Sequence, residues 1–354
     1  MIDPQLFEQI ISRNRNDFIA KCSRLCLAGL EIPYRCIVSS RNVIYDIGLK
    51  KTQKADVPVI SIGNLTMGGT GKTPFVIWLV QKCLEMGLQP AVASRGYRAD
   101  DSGWNDEAKE LASHFGDLPQ AISPKRHTAI QKMLADAKDR KKPIDVVILD
   151  DGFQHRQLHR DLDIVLIDAM NPFGYNHVCP RGTLRESISS LKRADIAILS
   201  RSDFIEEKEK TKIHQKVLSI NPKIHWCEIK QTPAKLVSIS NNHYPISDLY
   251  EKNVLAFCGI GNPNNFRKTL SGNKFQIAEF IVFPDHFKYD QKTIDGLGLL
   301  CQKKDVRHIL CTMKDLTKIR EWNYPDISIY AFVTKTDFTQ GEELLEQSIC
   351  FLIK

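Results

Sequence analysis

A glycine-rich segment that follows an apolar run and precedes a helical pattern constrains the fold of this chain more than any other feature. Residues 57–80 read VPVISIGNLTMGGTGKTPFVIWLV. A strand, a loop ending in Gly-Lys-Thr and a helix, in that order, are the context that a phosphate-binding loop requires. The glycines allow backbone angles that let successive N–H groups converge on phosphate oxygens. The segment therefore predicts that the chain binds a nucleoside triphosphate; a glycine-rich turn that carries no ligand is the alternative.

The residues of this loop have different expected roles. Lys72 would place a positive charge at the β and γ phosphates, and Thr73 would offer a hydroxyl to Mg²⁺. Thr66 stands where the common G-x-x-x-x-G-K-[ST] pattern has its first glycine. The residues expected to contact the nucleotide are Thr66, Met67, Gly68, Gly69, Thr70, Gly71, Lys72 and Thr73.

The composition is that of a globular protein with an ample core. The chain has 354 residues, of which 42% are hydrophobic, so one large or two ordinary domains are expected. The formal net charge of +7 suits an anionic substrate or an anionic membrane surface, and no block of basic residues predicts nucleic-acid binding. The ten cysteines form no C-x-x-C pair, which favours reduced thiols in a cytosolic protein. No feature predicts an obligate protein partner.

The N-terminal segment, residues 1–50, predicts a helical region that either contacts a membrane surface or only covers the domain. Its start is polar and mixed in charge, so no secretory signal is expected, and no apolar run is long enough to span a bilayer. Apolar residues recur there at helical spacing with basic residues among them. The apolar set is Phe7, Ile10, Ile11, Phe18 and Ile19, and the basic set is Arg13, Arg15, Lys21 and Arg24. A basic amphipathic helix of this kind can lie in a membrane interface.

Strand-like apolar runs alternate with helical patterns from Val57 onward. The runs IDVVILDDG, DIVLID and DIAILS are almost continuously apolar, as is typical of parallel strands buried on both faces. The pattern predicts an α/β fold: a P-loop kinase-like, doubly wound parallel sheet with a second, smaller α/β domain. The expected divisions are the helical segment 1–50, a core domain 51–228, a linker 229–250, a C-terminal α/β domain 251–340 and a closing helix 341–354.

Two adjacent aspartates end one of these apolar runs. Asp150 and Asp151 follow IDVVIL, and a carboxylate at the end of a strand beside a phosphate loop is the usual partner of Mg²⁺. The alternative is a plain turn, because Asp-Asp-Gly is also good turn chemistry. The phosphate loop upstream favours the metal site.

The spacing of these motifs favours a kinase over a nucleotide switch. A GTPase would show Asp-x-x-Gly and Asn-Lys-x-Asp, whereas this chain has Asp150-Asp151-Gly152 and, later, Lys314 directly before Asp315. A partition-type ATPase would carry a lysine where Met67 stands. The nucleotide is therefore expected to be ATP, with Mg²⁺ as its metal.

Nine short segments between Val57 and Asp315 occur together in one known family. In order they are SIGNLTMGGTGKTP, SRGY (Ser94 to Tyr97), DDGFQH (Asp150 to His155), DLDIVLID, NPFG, PRGTLRE (Pro180 to Glu186), GIGNP, FPDH (Phe283 to His286) and TMKD. Together they resemble the tetraacyldisaccharide 4'-kinase family of lipid A biosynthesis. PRGTLRE and DDGFQH in this order are far more specific than the phosphate loop alone.

The resemblance implies transfer of the ATP γ-phosphate to the 4'-hydroxyl of a tetraacyldisaccharide 1-phosphate, giving lipid IVA. It also implies a peripheral enzyme at the cytoplasmic face of a bacterial inner membrane, which favours membrane contact for the N-terminal helix. The alternatives are another P-loop kinase or ATP-driven ligase acting on an anionic metabolite, or a nucleotide-switched binding protein.

Catalytic roles transfer from the family position by position. Asp106 matches the acidic residue of a Gly-Asp-Glu-Pro motif, in which the family's general base lies, although Asn105 and Ala108 replace the glycine and the proline. The resemblance implies that His286 of FPDH is its partner and arrives from the second domain. An Asp–His pair can accept a hydroxyl proton. Glu107 is a candidate for a supporting metal role.

The remaining candidates are mostly arginines, because the guanidinium fork suits phosphate oxygens. The expected substrate contacts are Arg95, Arg126, Arg181, Glu186 and His155. Arg185 is expected to join Asp106, His286, Lys72 and Asp151 as a catalytic residue. Domain closure on the substrate would assemble such a divided site.

Overall fold

The fold was analysed in a computed structural model that describes residues 4–96, 103–319 and 321–353. Its contacts divide the chain into two units. The first comprises residues 1–95, 119–230 and 337–354, and the second comprises residues 96–118 and 231–336. Each unit is described by itself.

In the part of the chain that the structure describes, ten α-helices lie between and around the strands. Within the described residues they are α1 (Pro4–Ile11), α2 (Phe18–Asp46), α3 (Lys72–Glu85), α4 (Asp106–Phe115), α5 (Arg126–Asp139), α6 (Glu207–Ile220), α7 (Pro263–Ser271), α8 (Gln291–Lys303), α9 (Met313–Leu316) and α10 (Glu342–Ile353). Helix α2 confirms the expected N-terminal helical segment, and the Asp17 side chain caps it by accepting a hydrogen bond from the Ala20 N–H at 2.7 Å.

A parallel sheet forms the centre of the first unit. Its strands are β1 (Val59–Asn64), β2 (Pro90–Ser94), β3 (Gln120–Ile122), β4 (Val146–Asp150), β5 (Leu162–Asp168), β6 (Ile196–Ser200) and the first part of β7 (His225–Ser238). Their spatial order is β7-β6-β5-β1-β4-β2-β3, and every neighbouring pair is parallel. The carboxyl ends of these strands therefore share one edge, where ligands of doubly wound sheets bind.

Helices cover the sheet of the first unit because its strands are apolar on both faces. Val217 of α6 packs in one cluster with Val165 and Leu199 of the strands. Ile130 of α5 packs in another with Val147. Burying each such side chain contributes about 1.5–3 kcal/mol, so each of the two clusters stabilises the packing of its helix on the sheet.

A close backbone approach fixes the segment that follows β4. A Cβ atom added at Gly63 of β1 would lie 2.5 Å from the Cβ atom of Phe153 and 2.7 Å from its backbone nitrogen. Only glycine leaves room there, and Phe153 is fully buried beside it. The DDGFQH segment is therefore held directly against the strand that leads into the phosphate loop.

The second unit has a smaller parallel arrangement. Its strands are β8 (His243–Tyr244), β9 (Asn253–Cys258), β10 (Gln276–Val282), β11 (His308–Cys311) and β12 (Ser328–Gln340), with the second part of β7. Strands β10-β9-β11-β12 are neighbours and parallel, and β8 pairs antiparallel with β7. Along β9, Leu255 and Phe257 enter one core cluster while Val254 and Ala256 enter another, as expected of a strand buried on both faces.

The predicted α/β class with P-loop architecture is confirmed, but the chain is divided differently from the expected boundaries. Residues 96–118, expected in the core domain, belong to the second unit. The expected linker 229–250 contains the second part of β7 and strand β8, because its apolar residues Leu236 and Val237 are buried in the core of that unit. The expected closing helix is α10, which belongs to the first unit.

Candidate active site

The phosphate loop lies between β1 and α3, at the carboxyl edge of the first unit's sheet. Gly68 and Gly71 have positive φ angles of 107° and 82°, which explains why glycines stand there. Gly71 precedes the first residue of α3, Lys72. Before the glycines, the Met67 N–H donates to the Thr183 carbonyl at 2.6 Å. The loop is thus tied at its start to the PRGTLRE segment.

Asp151 is the centre of the charged groups beside the loop. The Arg185 guanidinium donates to both of its carboxylate oxygens at 2.8 Å, and the Lys72 ammonium lies 3.4 Å from one of them. Burial raises the pKa of the Asp151 carboxyl, but Lys72 and Arg185 outweigh it and hold that pKa at about 2. Asp151 is therefore ionised at neutral pH. Lys72 also donates to the Asn64 side-chain oxygen at 3.1 Å.

Asp150 and Arg126 complete the surroundings of that carboxylate. Asp150 ends β4, is only 8% exposed and pairs in register with Ile62 of β1. The Arg126 guanidinium donates to the backbone carbonyl of Asp151 at 3.1 Å and is buried, and burial lowers its pKa. Arg126 therefore holds the backbone of the aspartate pair.

His155 and Arg95 lie near this group with different exposure. Burial first, and then Arg126 and Arg160, lower the pKa of His155 to about 4, so its imidazole is neutral at pH 7. Arg95 is exposed at the end of β2. Tyr97 of the SRGY segment lies outside the described residues.

Glu186, expected to contact substrate, lies in the interior. It has no solvent exposure, and its carboxylate accepts hydrogen bonds from Arg193 at 2.5 Å, Gln154 at 3.0 Å and Asn42 of α2 at 2.9 Å. Gln154 also donates to the Asn64 carbonyl at 3.0 Å. These contacts correct the expected role, because a carboxylate enclosed in this way orders its neighbours rather than reaching a ligand.

Arg181 also faces an internal partner. Its guanidinium lies 3.3 Å from the Glu31 carboxylate of α2, which additionally accepts the Val178 N–H at 3.2 Å and faces the His177 ring at 3.3 Å. One turn later on α2, the Tyr34 hydroxyl donates to the Arg185 carbonyl at 2.9 Å. The PRGTLRE segment is therefore fastened to α2 at several points.

In the second unit, Asp106 and His286 form the pair that the resemblance implied. The His286 Nδ1 atom lies 2.8 Å from the Asp106 carboxylate, and the Lys318 ammonium lies 2.7 Å from the same oxygen. Burial raises the pKa of Asp106, but His286 and Lys318 bring it down to about 2. The hydrogen bond that His286 donates to the Asp106 carboxylate raises the pKa of His286. Both residues belong to one unit, since residues 96–118 join it.

Local sequence explains where Asp106 lies. Asn105, which replaces the family's glycine, caps α4 by accepting the Ala108 N–H at 3.1 Å. Asn is among the best N-cap residues, so the replacement preserves the helix start that presents Asp106. Lys318 was missed by sequence reasoning. Lys318 follows Lys314 by four residues, a spacing that places two side chains on the same face of a helix, and this spacing was the available signal in the sequence.

Two further carboxylates on α4 surround the pair. Glu107, a candidate metal ligand by sequence, forms an ion pair with Lys314 at 2.8 Å. Glu110 was missed by sequence reasoning; burial is the main cause that raises its pKa to about 7, with Glu107, Asp106 and Asp315 adding to the effect and Lys314 opposing it. This helix therefore carries a carboxylic acid that stays protonated where ordinary glutamates are ionised.

The sequence predicts a metal ion beside the phosphate loop. Among the residues that the structure describes, no group of three or more His, Cys, Asp or Glu side chains could hold one. Mg²⁺ in nucleotide sites is typically bound by one or two carboxylates together with phosphates and waters. Thr73, Asp150 and Asp151 supply oxygen atoms only, which is the donor type that Mg²⁺ prefers.

Comparison with known proteins gives consistent matches over most of the chain. The sequence model of the family described as tetraacyldisaccharide-1-P 4'-kinase matches residues 23–350. The tetraacyldisaccharide 4'-kinase of Desulfotalea psychrophila is 35% identical over 338 residues, covering 88% of this chain and 92% of its own. That of Halothermothrix orenii is 32% identical over 320 residues, covering 82% of each.

A solved structure matches the fold. LpxK from Aquifex aeolicus, crystallised in complex with ATP, superposes with a TM-score of 0.72 and 27% sequence identity. The match covers 94% of this chain and 99% of that one. These matches confirm the resemblance that the nine sequence segments indicated.

We predict that Glu110→Gln removes one pH dependence of stability. The folded-state pKa of about 7 lies above the ordinary value of 4.5, so the protonated acid stabilises the fold fully below about pH 4.5. That contribution falls by about 1.4 kcal/mol per pH unit as the pH rises towards 7. Urea unfolding between pH 5 and 8 should show this decline in the wild-type chain and in the control Glu343→Gln, but not in Glu110→Gln. Parallel curves for all three would contradict the prediction.

Proposed function

The chain belongs to the tetraacyldisaccharide-1-P 4'-kinase family, and on that premise we propose how its residues divide the work of phosphoryl transfer. The reaction moves the γ-phosphate of ATP to the 4'-hydroxyl of a tetraacyldisaccharide 1-phosphate. The observation that carries the proposal is the group of Lys72, Asp151 and Arg185 beside the glycine loop, with Lys72 3.4 Å and Arg185 2.8 Å from the Asp151 carboxylate.

In this proposal, residues of the first unit bind ATP. The N–H groups of the glycine loop and Lys72 neutralise the phosphates, and Arg185 stabilises charge on the transferred group. Arg126 holds the backbone of Asp151, and exposed Arg95 is free to reach an anionic substrate. His155, neutral at pH 7, serves as a hydrogen-bonding group rather than as a cation.

Thr73, Asp150 and Asp151 would hold Mg²⁺ in this proposal. The ion, when bound, neutralises charge on the β and γ phosphates. Before that, Lys72 and Arg185 keep the Asp151 carboxylate ionised and oriented, since they hold its pKa at about 2. Glu107, the further candidate for a supporting metal role, is paired with Lys314.

The second unit provides the group that receives the proton of the 4'-hydroxyl. Asp106 is ionised at neutral pH and hydrogen-bonded to His286, so one carboxylate oxygen is oriented by the imidazole. A carboxylate with so low a pKa is a weak base. It suffices because the transition state of phosphoryl transfer is loose and leaves little charge on the attacking oxygen. The hydroxyl proton passes to Asp106 as the bond from the 4'-oxygen to the γ-phosphorus forms, while the bond from that phosphorus to the β–γ bridging oxygen breaks and ADP leaves.

The direct test of the reaction is label transfer. The purified chain is incubated with [γ-³²P]ATP, Mg²⁺ and tetraacyldisaccharide 1-phosphate, and the lipid fraction is counted. A labelled lipid that loses its label to a 4'-phosphatase supports the function. Hydrolysis of ATP without any labelled lipid would instead indicate a nucleotide-switched binding protein, and label on a different anionic acceptor would indicate another kinase.

We predict that Asp106→Ala and His286→Ala each lower kcat in this assay by at least about a hundredfold, the usual range for a general base. Affinity for ATP should stay within about twofold, because neither side chain is among the residues proposed to bind the nucleotide and the loss should fall on the chemical step. Asp117→Asn, an exposed aspartate of the same unit, is the control. Wild-type turnover in either alanine variant would exclude this pair as the base.

We further propose that α2 places the enzyme on the cytoplasmic face of the bacterial inner membrane. Large apolar side chains of α2 are exposed to solvent, namely Phe18, Ile19, Leu25, Leu30, Ile32, Ile37, Val43 and Ile44. A group of exposed apolar side chains on one helix is typical of an interaction surface. Within the described ranges no helix is long and apolar enough to cross a bilayer. An interfacial helix fits both observations and brings the enzyme to its lipid substrate.

We predict that Leu25→Gln/Ile37→Gln reduces membrane binding. These side chains are 76% and 71% exposed, and each contributes about 1.5–3 kcal/mol when an apolar phase buries it fully. Flotation with vesicles of phosphatidylethanolamine and phosphatidylglycerol should show at least a tenfold lower bound fraction. Truncation is a poor test, because Tyr34 and Asn42 bind the PRGTLRE segment. The matched control Val282→Gln/Leu299→Gln alters two exposed residues of the second unit. Equal flotation of both double variants would rule out α2 as the contact.

A further inference from the structure

Two residues at the carboxyl end of β6, Ser200 and Arg201, hydrogen-bond to the backbone of the phosphate loop. Ser200 is 1% exposed, and its hydroxyl donates to the Thr70 carbonyl at 2.8 Å. Arg201 lies next to it in the left-handed region, with a φ angle of 57°. Its guanidinium donates to the Gly69 carbonyl at 2.5 Å and to the Asp168 carboxylate at 2.5 Å. Two consecutive carbonyls of the loop are therefore fixed by side chains from the carboxyl end of β6.

Asp168 anchors this arrangement at the end of β5. Asp168 pairs in register with Ser200, and its second carboxylate oxygen accepts the Met170 N–H at 3.1 Å. The side chains of Arg201 and Asp168 are only 11% and 10% exposed. Charge-assisted bonds in such a place are short and strong, and the guanidinium fork fits two acceptors at once. The orientation of the Arg201 guanidinium is consequently fixed by the Gly69 carbonyl and by the Asp168 carboxylate.

Fixing a carbonyl also fixes the N–H group of the next residue. The peptide unit is planar and trans, so its C=O and N–H groups point in opposite directions. The Gly69 carbonyl belongs to the same peptide as the Thr70 N–H, and the Thr70 carbonyl to the same peptide as the Gly71 N–H. When the two carbonyls are held towards β5 and β6, both N–H groups point away from those strand ends.

We infer that Ser200, Arg201 and Asp168 are positioning residues that direct the Thr70 and Gly71 N–H groups onto the phosphates of ATP. The inference rests on the proposed ATP site and adds three residues to it. The glycine loop needs such support because glycines lose more conformational freedom on ordering than other residues. Asp168 neutralises the Arg201 charge, so Arg201 acts through its two hydrogen bonds rather than by attracting the nucleotide.

The test measures ATP and ADP affinity by calorimetry on the full chain, together with KM for ATP and for the lipid acceptor. The variants are Ser200→Ala, Arg201→Lys, Arg201→Gln and Asp168→Asn, and Arg140→Gln is the exposed, charge-matched control. We expect ATP and ADP to bind about tenfold more weakly in each variant, as for the loss of one hydrogen bond. KM for the lipid should change less than twofold. Lysine should not rescue Arg201, since an ammonium group lacks the fork.

Each other outcome overturns the inference in a distinct way. Wild-type ATP affinity in Ser200→Ala and Arg201→Gln would show that the N–H groups do not depend on these bonds. Full affinity in Arg201→Lys would show that charge alone matters. A parallel rise in both KM values with a lowered Tm would show a general structural role. Arg201→Gln leaves the buried Asp168 carboxylate without its Arg201 partner and could therefore fail to fold. The double variant Asp168→Asn/Arg201→Gln removes that carboxylate as well, and wild-type ATP affinity in it would overturn the inference. If wild-type protein does not bind ATP, the proposed function fails instead.

Discussion

The phosphate site of the first unit depends on the hydrogen bonds that the fully buried carboxylate of Glu186 accepts. Removing an ionised carboxylate from water costs several kcal/mol unless hydrogen-bonded and charged partners compensate. Arg193, Gln154 and Asn42 supply those partners. They come from three different parts of the chain, so satisfying one carboxylate brings α2, the DDGFQH segment and the PRGTLRE segment together. Arg185, the residue before Glu186, is thereby placed against Asp151.

The two units handle charge in a similar way. In the first, cations at Lys72 and Arg185 keep the Asp151 carboxyl ionised although it is partly buried. In the second, Lys318 and His286 do the same for Asp106. Phosphoryl transfer requires fixed positive charge and an oriented acceptor for a proton more than covalent chemistry. Helix α2 links an exposed apolar surface to the phosphate site. Its exposed side chains are largely apolar, and Tyr34 on its inner face binds the PRGTLRE segment.

The parts of this molecule that follow from local pattern were predictable from sequence. Continuous apolar runs predicted the parallel strands. The glycines and Lys72 predicted the phosphate loop between β1 and α3. The pairing of Asp106 with His286 was implied only by resemblance. The role of Glu186 was not predictable, since it is bonded to Asn42, a residue 144 positions away, and polar letters in a loop do not reveal burial. For the same reason the expected linker proved to contain part of β7, whose burial depends on distant neighbours.

Hydrogen exchange of Glu186→Gln tests the central role of that carboxylate most directly. Glutamine keeps the size of the side chain but presents an amide group to partners that are all donors. The account predicts faster exchange in Glu186→Gln than in wild type both in residues 36–46 of α2 and in residues 64–73 of the phosphate loop. An increase confined to residues 184–193, with α2 and the phosphate loop exchanging as in wild type, would contradict it.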